Sequence, residues 1–188
     1  MALGVDTALN TALEAIDHLR DTASSREQAF LVETVGGTGY MALMVGIAGG
    51  AELTCIPEIP FELEDILKRV ADAYVRGKRY CIITVAQGVE PDAAAITDYI
   101  EENKEETGFG AHLSVLGYIQ RGGSPTAKDR LLATQLGGAA VDTLQEGKSG
   151  VLVGCIGGKI STSPMPEVLE GKPEIEERDY RLAQTLAR

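Results

Sequence analysis

Arg121 stands between an apolar run, HLSVLGYIQ, and a helical pattern, and it is followed by Gly122, Gly123, Ser124 and Pro125. A guanidinium, two residues without side chains and the unsatisfied N–H groups of a helix start make an anion site, with phosphate the anion such a geometry favours. A Gly-rich turn beside a solvated arginine has the same residues, and from them alone both readings stay open. Gly37-Thr38-Gly39-Tyr40-Met41-Ala42 fits G-x-G-x-x-A, and Glu58 lies twenty-one residues beyond Gly37. That is a dinucleotide-binding pattern. A tight turn with close helix–sheet packing needs the same glycines. Cys55, Cys81 and Cys155 sit in apolar strand-like runs without zinc-ligand spacing, and read as reduced, buried thiols of a cytoplasmic protein.

These residues must be held by an alternation of strands and helices. Val5, Leu9, Ala12, Leu13, Ile16 and Leu19 recur at helical spacing, with Asp6 or Thr7 as the expected N-cap. Strands are expected over 29–35, 52–56, 79–86, 112–118 and 151–156, with the run RYCIITVA central and covered on both faces. Helices are expected over 39–50, over 61–76, from Pro91, from a Ser124-Pro125 cap to Gly147, and over 175–186; MPEVLEGKPEIEER reads as a surface connection. This order predicts an α/β fold of three layers, a mainly parallel sheet with helices on both faces. Ligands of such sheets sit beyond the carboxyl ends of the strands, which singles out VGGTGY, AQGVEP, QRGGSP and the GGK after the fifth strand.

The 188 residues carry a formal net charge of -11, which excludes a nucleic-acid partner, since that needs a basic face. The longest apolar run, MALMVGIAGGA, is too short to cross a membrane, and nothing at the N-terminus reads as a signal peptide. A bound anion must therefore meet a local cluster of cations working against the global field.

The stretch VLGYIQRGGSPTAKDR resembles the V-L-G-H-x-Q-R-G-G-S-P-T-A-x-D-R segment of the 6-phosphofructokinases. LGVDTALNTALEAIDHLRDTASS, FLVETVGGTGYMALMVGIAGGAE and RGKRYCIITVAQGV are similar to further motifs of that family, in the family's order. The resemblance implies phosphoryl transfer from ATP to fructose 6-phosphate in glycolysis, with Mg2+, in an allosteric cytoplasmic oligomer. The glycine-rich ATP loops and the T-I-D-N-D segment with the catalytic aspartate are not in this sequence, so no catalytic residue is assigned and the chain alone is expected to be inert. It resembles a C-terminal portion, and VETVGGTGY resembles the regulatory half of the duplicated animal and fungal enzymes.

Carried over position by position, the resemblance places the substrate site at Gln28, Val35, Gly36, Gly37, Gln87, His112, Tyr118 and Arg121. Gln28, Gly37 and His112 stand where the family has arginines, Gln87 where it has a glutamate and Tyr118 where it has a histidine; only Arg121 matches. At roughly 1.5–3 kcal/mol per charge-assisted bond, three lost arginines remove on the order of 5–9 kcal/mol of substrate binding. The family's effector site is retained: Arg20, Gly50, Glu52, Arg76, Lys78 and Arg79 match the groups that hold a nucleoside diphosphate or phosphoenolpyruvate, with Glu52 meeting the effector's Mg2+. Solvated helix ends would account for Arg20 and the RGKR corner equally well. The resemblance also implies that 1–120 and 169–188 form a sugar-phosphate and effector lobe, and that 121–168 packs on an N-terminal portion, in a homo-oligomer or with a partner. Three functions follow: part of a 6-phosphofructokinase, a non-catalytic module binding phosphorylated small molecules, or a dinucleotide-binding domain.

Overall fold

A computed structural model describes residues 2–23, 27–171 and 175–187. The chain divides into two compact units, Leu9–Gly122 with Ile175–Arg188, and Met1–Ala8 with Gly123–Glu174.

The larger unit is built on a four-stranded parallel sheet. Its strands are β1 (Gln28–Thr34), β2 (Leu53–Cys55), β3 (Tyr80–Ala86) and β4 (Gly110–Val115), in the spatial order β2-β3-β1-β4. Alternate residues of the central strands serve opposite faces, as the two-residue period of a strand requires. Ala29, Leu31, Cys81, Ile83 and Val85 pack with the buried residues of α3 (Leu63–Val75) and α4 (Ala93–Glu102). Phe30, Val32 and Ile82 pack with Ala12 and Ile16 of α1 (Val5–Ala23) and Val45 of α2 (Tyr40–Gly49). Covering on both faces explains why β1 and β3 read as continuous apolar runs. The four-residue α5 (Lys104–Thr107) follows α4 directly.

Helix α2 lies unusually close to the sheet. A Cβ on Gly46 would fall on the hydroxyls of Thr54 and Thr84, which are hydrogen-bonded to each other at 2.9 Å. The helix ends at Gly50, whose φ of 59° is left-handed and whose N–H closes onto the carbonyls of Gly46 and Ile47.

Several boundaries differ from the sequence expectation. Asp6 and Thr7 lie inside the first turn of α1, which begins at Val5. The apolar run after β4 leaves the sheet at Leu116 and continues as a 3-10 turn over Gly117–Arg121, where Gly117 has φ 49°. Helix α4 begins at Ala93, capped by Asp92, whose carboxylate accepts the Ala95 N–H at 2.8 Å. The closing helix of the larger unit, α8, spans Glu177–Leu186.

In the smaller unit, α6 (Ala127–Gln145) is capped by Thr126 rather than by Ser124-Pro125. β5 (Val151–Ile156) pairs antiparallel with β6 (Lys159–Pro164) in a two-stranded sheet of its own, so the GGK segment is a Gly157-Gly158 hairpin turn with Lys159 opening β6, rather than a strand-to-helix loop. Cys155 lies there half-buried, unlike Cys55 and Cys81, which are buried. The expected surface connection contains a short helix, α7 (Met165–Glu170), and residues 172–174 of it lie outside the described residues.

Candidate functional site

At the carboxyl edge, β3, β1 and β4 end side by side. The Gln87 N–H reaches the Thr34 carbonyl at 3.0 Å, and the Leu116 N–H reaches that of Glu33 at 3.1 Å. Val35, Gly36, Gly37, Gln87, Tyr118 and Arg121 therefore leave the sheet on neighbouring strands. Gln120, to which sequence reasoning gave no role, ties two of these segments together. It is fully buried and its Oε1 accepts the Val35 N–H at 2.8 Å. Its place in the IQRGG motif was the available signal. With Gln120 inward, its neighbour Arg121 is exposed, and its guanidinium stacks 5.5 Å from the ring centre of the exposed Tyr118. Gly36 has φ 145°, and a Cβ on Gly37 would meet nothing within 4 Å. The edge thus offers open backbone and one arginine, with the amide of exposed Gln87 where a charge would be expected.

Gln28 lies at the other end of the sheet, and His112 lies in mid-strand on β4. Gln28 opens β1, in register with Tyr80 and Gly110, and His112 pairs with Phe30. At the rise of an extended strand, Gln28 is about 20 Å from the carboxyl edge that carries Arg121, and His112, level with Phe30, is about 13 Å from it. They border a hollow of about 620 Å³ with Glu27, Glu101, Lys104 and Glu105. Glu101 accepts the Ala111 N–H at 2.7 Å, and this bond, followed by one from Lys104, holds its carboxyl below the usual range. Three carboxylates on that rim oppose a phosphate.

The dinucleotide pattern is occupied from within. The Glu58 carboxylate takes the Gly39 N–H at 2.9 and 3.1 Å, at the start of α2 where a pyrophosphate would dock. A carboxylate there repels a second anion, and Gly39, like Gly46 farther along the helix, serves packing, since a Cβ on it would fall on Glu58 and Ile56.

The N-terminus of α6 is also engaged. Thr126 Oγ1 accepts the Asp129 N–H at 3.3 Å. The Asp129 carboxylate accepts from the N–H groups of Gly4 (3.0 Å) and Thr7 (2.8 Å) and from the Thr7 hydroxyl (2.5 Å). The Thr7 hydroxyl bond is the largest cause holding the Asp129 carboxyl below its usual value. A buried carboxylate in the first turn leaves this helix start unsuited to phosphate.

The effector candidates form a connected group. Arg20 donates through Nη2 to the Gly49 carbonyl and through Nη1 to Asp17 at 3.5 Å; its Nε is buried with no acceptor among the described residues. A Cβ on Gly50 would stand 3.3 Å from Arg20 Nη2, so the glycine admits the guanidinium. Two residues on, Glu52 is buried, with Oε1 on Lys78 Nζ at 2.7 Å and Oε2 on the Ile82 N–H at 2.6 Å. Arg76 ends α3 and Arg79 is exposed just ahead of β3. Arg20, Gly50, Glu52 and Lys78 are thus linked contact by contact, with the turn carrying Arg76 and Arg79 continuous with Lys78. Glu52 does not fit the Mg2+ role as it stands, because the Lys78 ammonium holds the oxygen a cation would need. Among the described residues no group of three or more His, Cys, Asp or Glu is placed to hold a metal, and no helix is long and apolar enough to cross a membrane.

Known proteins share this sequence and this fold. The chain is 46% identical over 186 residues to ATP-dependent 6-phosphofructokinase 1 of Thermus thermophilus, and 43% identical over 186 residues to ATP-dependent 6-phosphofructokinase of Bacillus subtilis. Each alignment takes in 98% of this chain and 57% of the relative, so the chain spans little more than half the length of the curated relatives it matches. The fold superposes on phosphofructokinase of Pichia pastoris in the T-state with a TM-score of 0.80 at 26% identity, covering 99% of this chain and 23% of that one. Phosphofructokinase of Saccharomyces cerevisiae gives 0.79 at 29% identity, covering 99% and 26%. The family described as Phosphofructokinase matches residues 1–144. With a parallel sheet flanked by helices, and with the family's motifs at its strand ends, the chain belongs to the phosphofructokinase family.

Proposed function

We propose that this chain is the sugar-phosphate and effector portion of a 6-phosphofructokinase, inert on its own, and that its retained activity is to bind phosphate-bearing effectors. The enzyme it belongs to moves phosphate from ATP to fructose 6-phosphate, giving ADP and fructose 1,6-bisphosphate in glycolysis. ATP and its Mg2+ belong to the portion with the nucleotide loops. The observation that carries this reading is the linked group Arg20, Gly49-Gly50, Glu52 and Lys78, in which one arginine keeps a buried, unpartnered Nε. The ligands are nucleoside diphosphates and phosphoenolpyruvate.

The substrate half is weak in charge. Arg121 is the one cation among the carried-over positions, and Gln28 and His112 reach a common ligand only from a second copy of the chain, in a homo-oligomer. Leu131, Leu144, Ile156 and Leu169 are 66–78% exposed. This apolar surface is the counterpart of the N-terminal portion, on which 121–168 packs in the assembled cytoplasmic enzyme.

Isothermal calorimetry tests the reading. ADP is expected to bind with a dissociation constant well below that of fructose 6-phosphate, and Arg20→Ala to weaken it at least tenfold, equal to about 1.4 kcal/mol. Lys78→Ala abolishes binding too, but it also strands buried Glu52, at about 3 kcal/mol of stability, so binding is read by heat rather than by melting temperature. Micromolar fructose 6-phosphate binding, or ADP binding indifferent to Arg20→Ala, overturns the proposal.

A further inference from the structure

Arg76 presents two donating edges, and both are occupied. Its Nε faces Asp72 one turn back on α3, 3.1 Å from Oδ2 and 3.3 Å from the carbonyl oxygen. Its outer edge, Nη1 and Nη2 together, converges on a single atom, the carbonyl oxygen of Ala187, at 3.2 Å from each. That outer fork is an edge a phosphate or carboxylate takes in a bidentate grip.

The group sitting in the fork is the end of α8. Ala187 is buried, its N–H closes onto the Ala183 carbonyl, and its own carbonyl carries the negative end of the helix dipole. The helix lies on the surface, against α2 and β2. None of its residues is buried, and ten residues make a marginal helix in isolation. Ile175 and Tyr180 rest against the core, and Arg76 fastens the far end.

We propose that the end of α8 is a built-in occupant of the effector site: a phosphate-bearing anion takes the outer fork of Arg76 from the Ala187 carbonyl and so releases the helix. This rests on the effector reading above and gives that site its regulation. The Ala187 carbonyl gives the fork one neutral oxygen for two donors, whereas a phosphate brings two oxygens and a full charge in a bidentate pair, so the anion wins the fork. Asp72, already ionic, keeps the other edge. Linkage makes the coupling reciprocal, so whatever loosens α8 tightens the anion.

Hydrogen–deuterium exchange of the full chain tests this, with ADP as the probe and binding measured in parallel by calorimetry. The amides of Glu177–Leu186 are expected to exchange severalfold faster when ADP is bound, while those of β3 stay unchanged. Arg76→Gln is expected to exchange fast in α8 without ADP, with no further change on adding it. ADP binding with α8 exchange unchanged or slowed overturns the coupling and leaves the effector reading intact. Absence of ADP binding removes both. An Arg76→Gln chain with α8 as protected as before shows that Arg76 does not fasten the helix, and also overturns the coupling.

Discussion

Asp129 gathers three donors from residues more than a hundred positions earlier in the chain, and it does so while buried. Asparagine there would turn an NH2 group toward donors and lose the charge, so Asp129→Asn is expected to cost about 2–3 kcal/mol in urea unfolding. The pH dependence has a definite sign. The carboxyl is held below its usual value in the folded chain, chiefly by the Thr7 hydroxyl, so it binds protons more readily when unfolded. Its contribution is complete above an ordinary aspartate value of about 3.9 and is lost as the pH falls through the lower folded value. Asp6, lowered mainly by Thr126 and then Lys128, acts in the same direction. Urea midpoints followed across the acid range should fall less steeply for Asp129→Asn than for the parent chain; equal slopes would refute the assignment. The capping pattern Thr126-x-x-Asp129 was in the sequence, but the partners Gly4 and Thr7 were not readable, because nothing local links positions so far apart.

Among the elements, α2 shows what its glycines are for. Gly46→Ala forces a methyl onto the Thr54 and Thr84 hydroxyls, and is expected to cost about 2–3 kcal/mol as an overpacked contact. Gly37→Ala, whose methyl meets open space, is expected to cost under about 1 kcal/mol. Chemical denaturation of the two variants side by side checks that close packing sets the cost at Gly46 and not at Gly37. The sheet strands were legible because burial on both faces writes itself as uninterrupted Val, Ile, Leu and Cys. Strand β6 was not, because KISTSP has only alternate residues half-buried and carries polar groups elsewhere. The end of β4 was misread for a related reason: LGYI is apolar enough to continue a strand, yet Gly117 turns the backbone left-handed and the side chains that follow are exposed, Gln120 excepted. The site was legible as a set of residue types, since the family motifs carry them. What the motifs could not reveal is that Glu52 and Arg76 are already satisfied inside the chain, by Lys78 and by the end of α8.

At the scale of the whole molecule, the exposed leucines and isoleucines of α6, β5 and α7 set the expected solution behaviour. A fully buried Leu contributes about 1.5–3 kcal/mol, so association through these side chains should be measurable. Sedimentation equilibrium is expected to give a weight-average mass that rises with concentration. The double variant Leu131→Lys with Ile156→Lys should weaken that association at least tenfold, about 1.4 kcal/mol; an unchanged profile would mean these side chains are not what associates. The two sheets also differ in how they can be reached from an unfolded chain. Strands β5 and β6 are joined by a two-residue turn, Gly157-Gly158, and can zip within microseconds. No neighbouring pair in the four-stranded sheet is joined that way: even β2 and β3 require the chain from Cys55 to Tyr80 to be looped back first. Refolding should therefore lose amplitude within the stopped-flow dead time, as the hairpin forms, before a slower resolved phase, and in the interval strands rich in Val and Ile still lack neighbours. That interval, rather than the finished fold, is when dilution and low temperature protect this chain from precipitation.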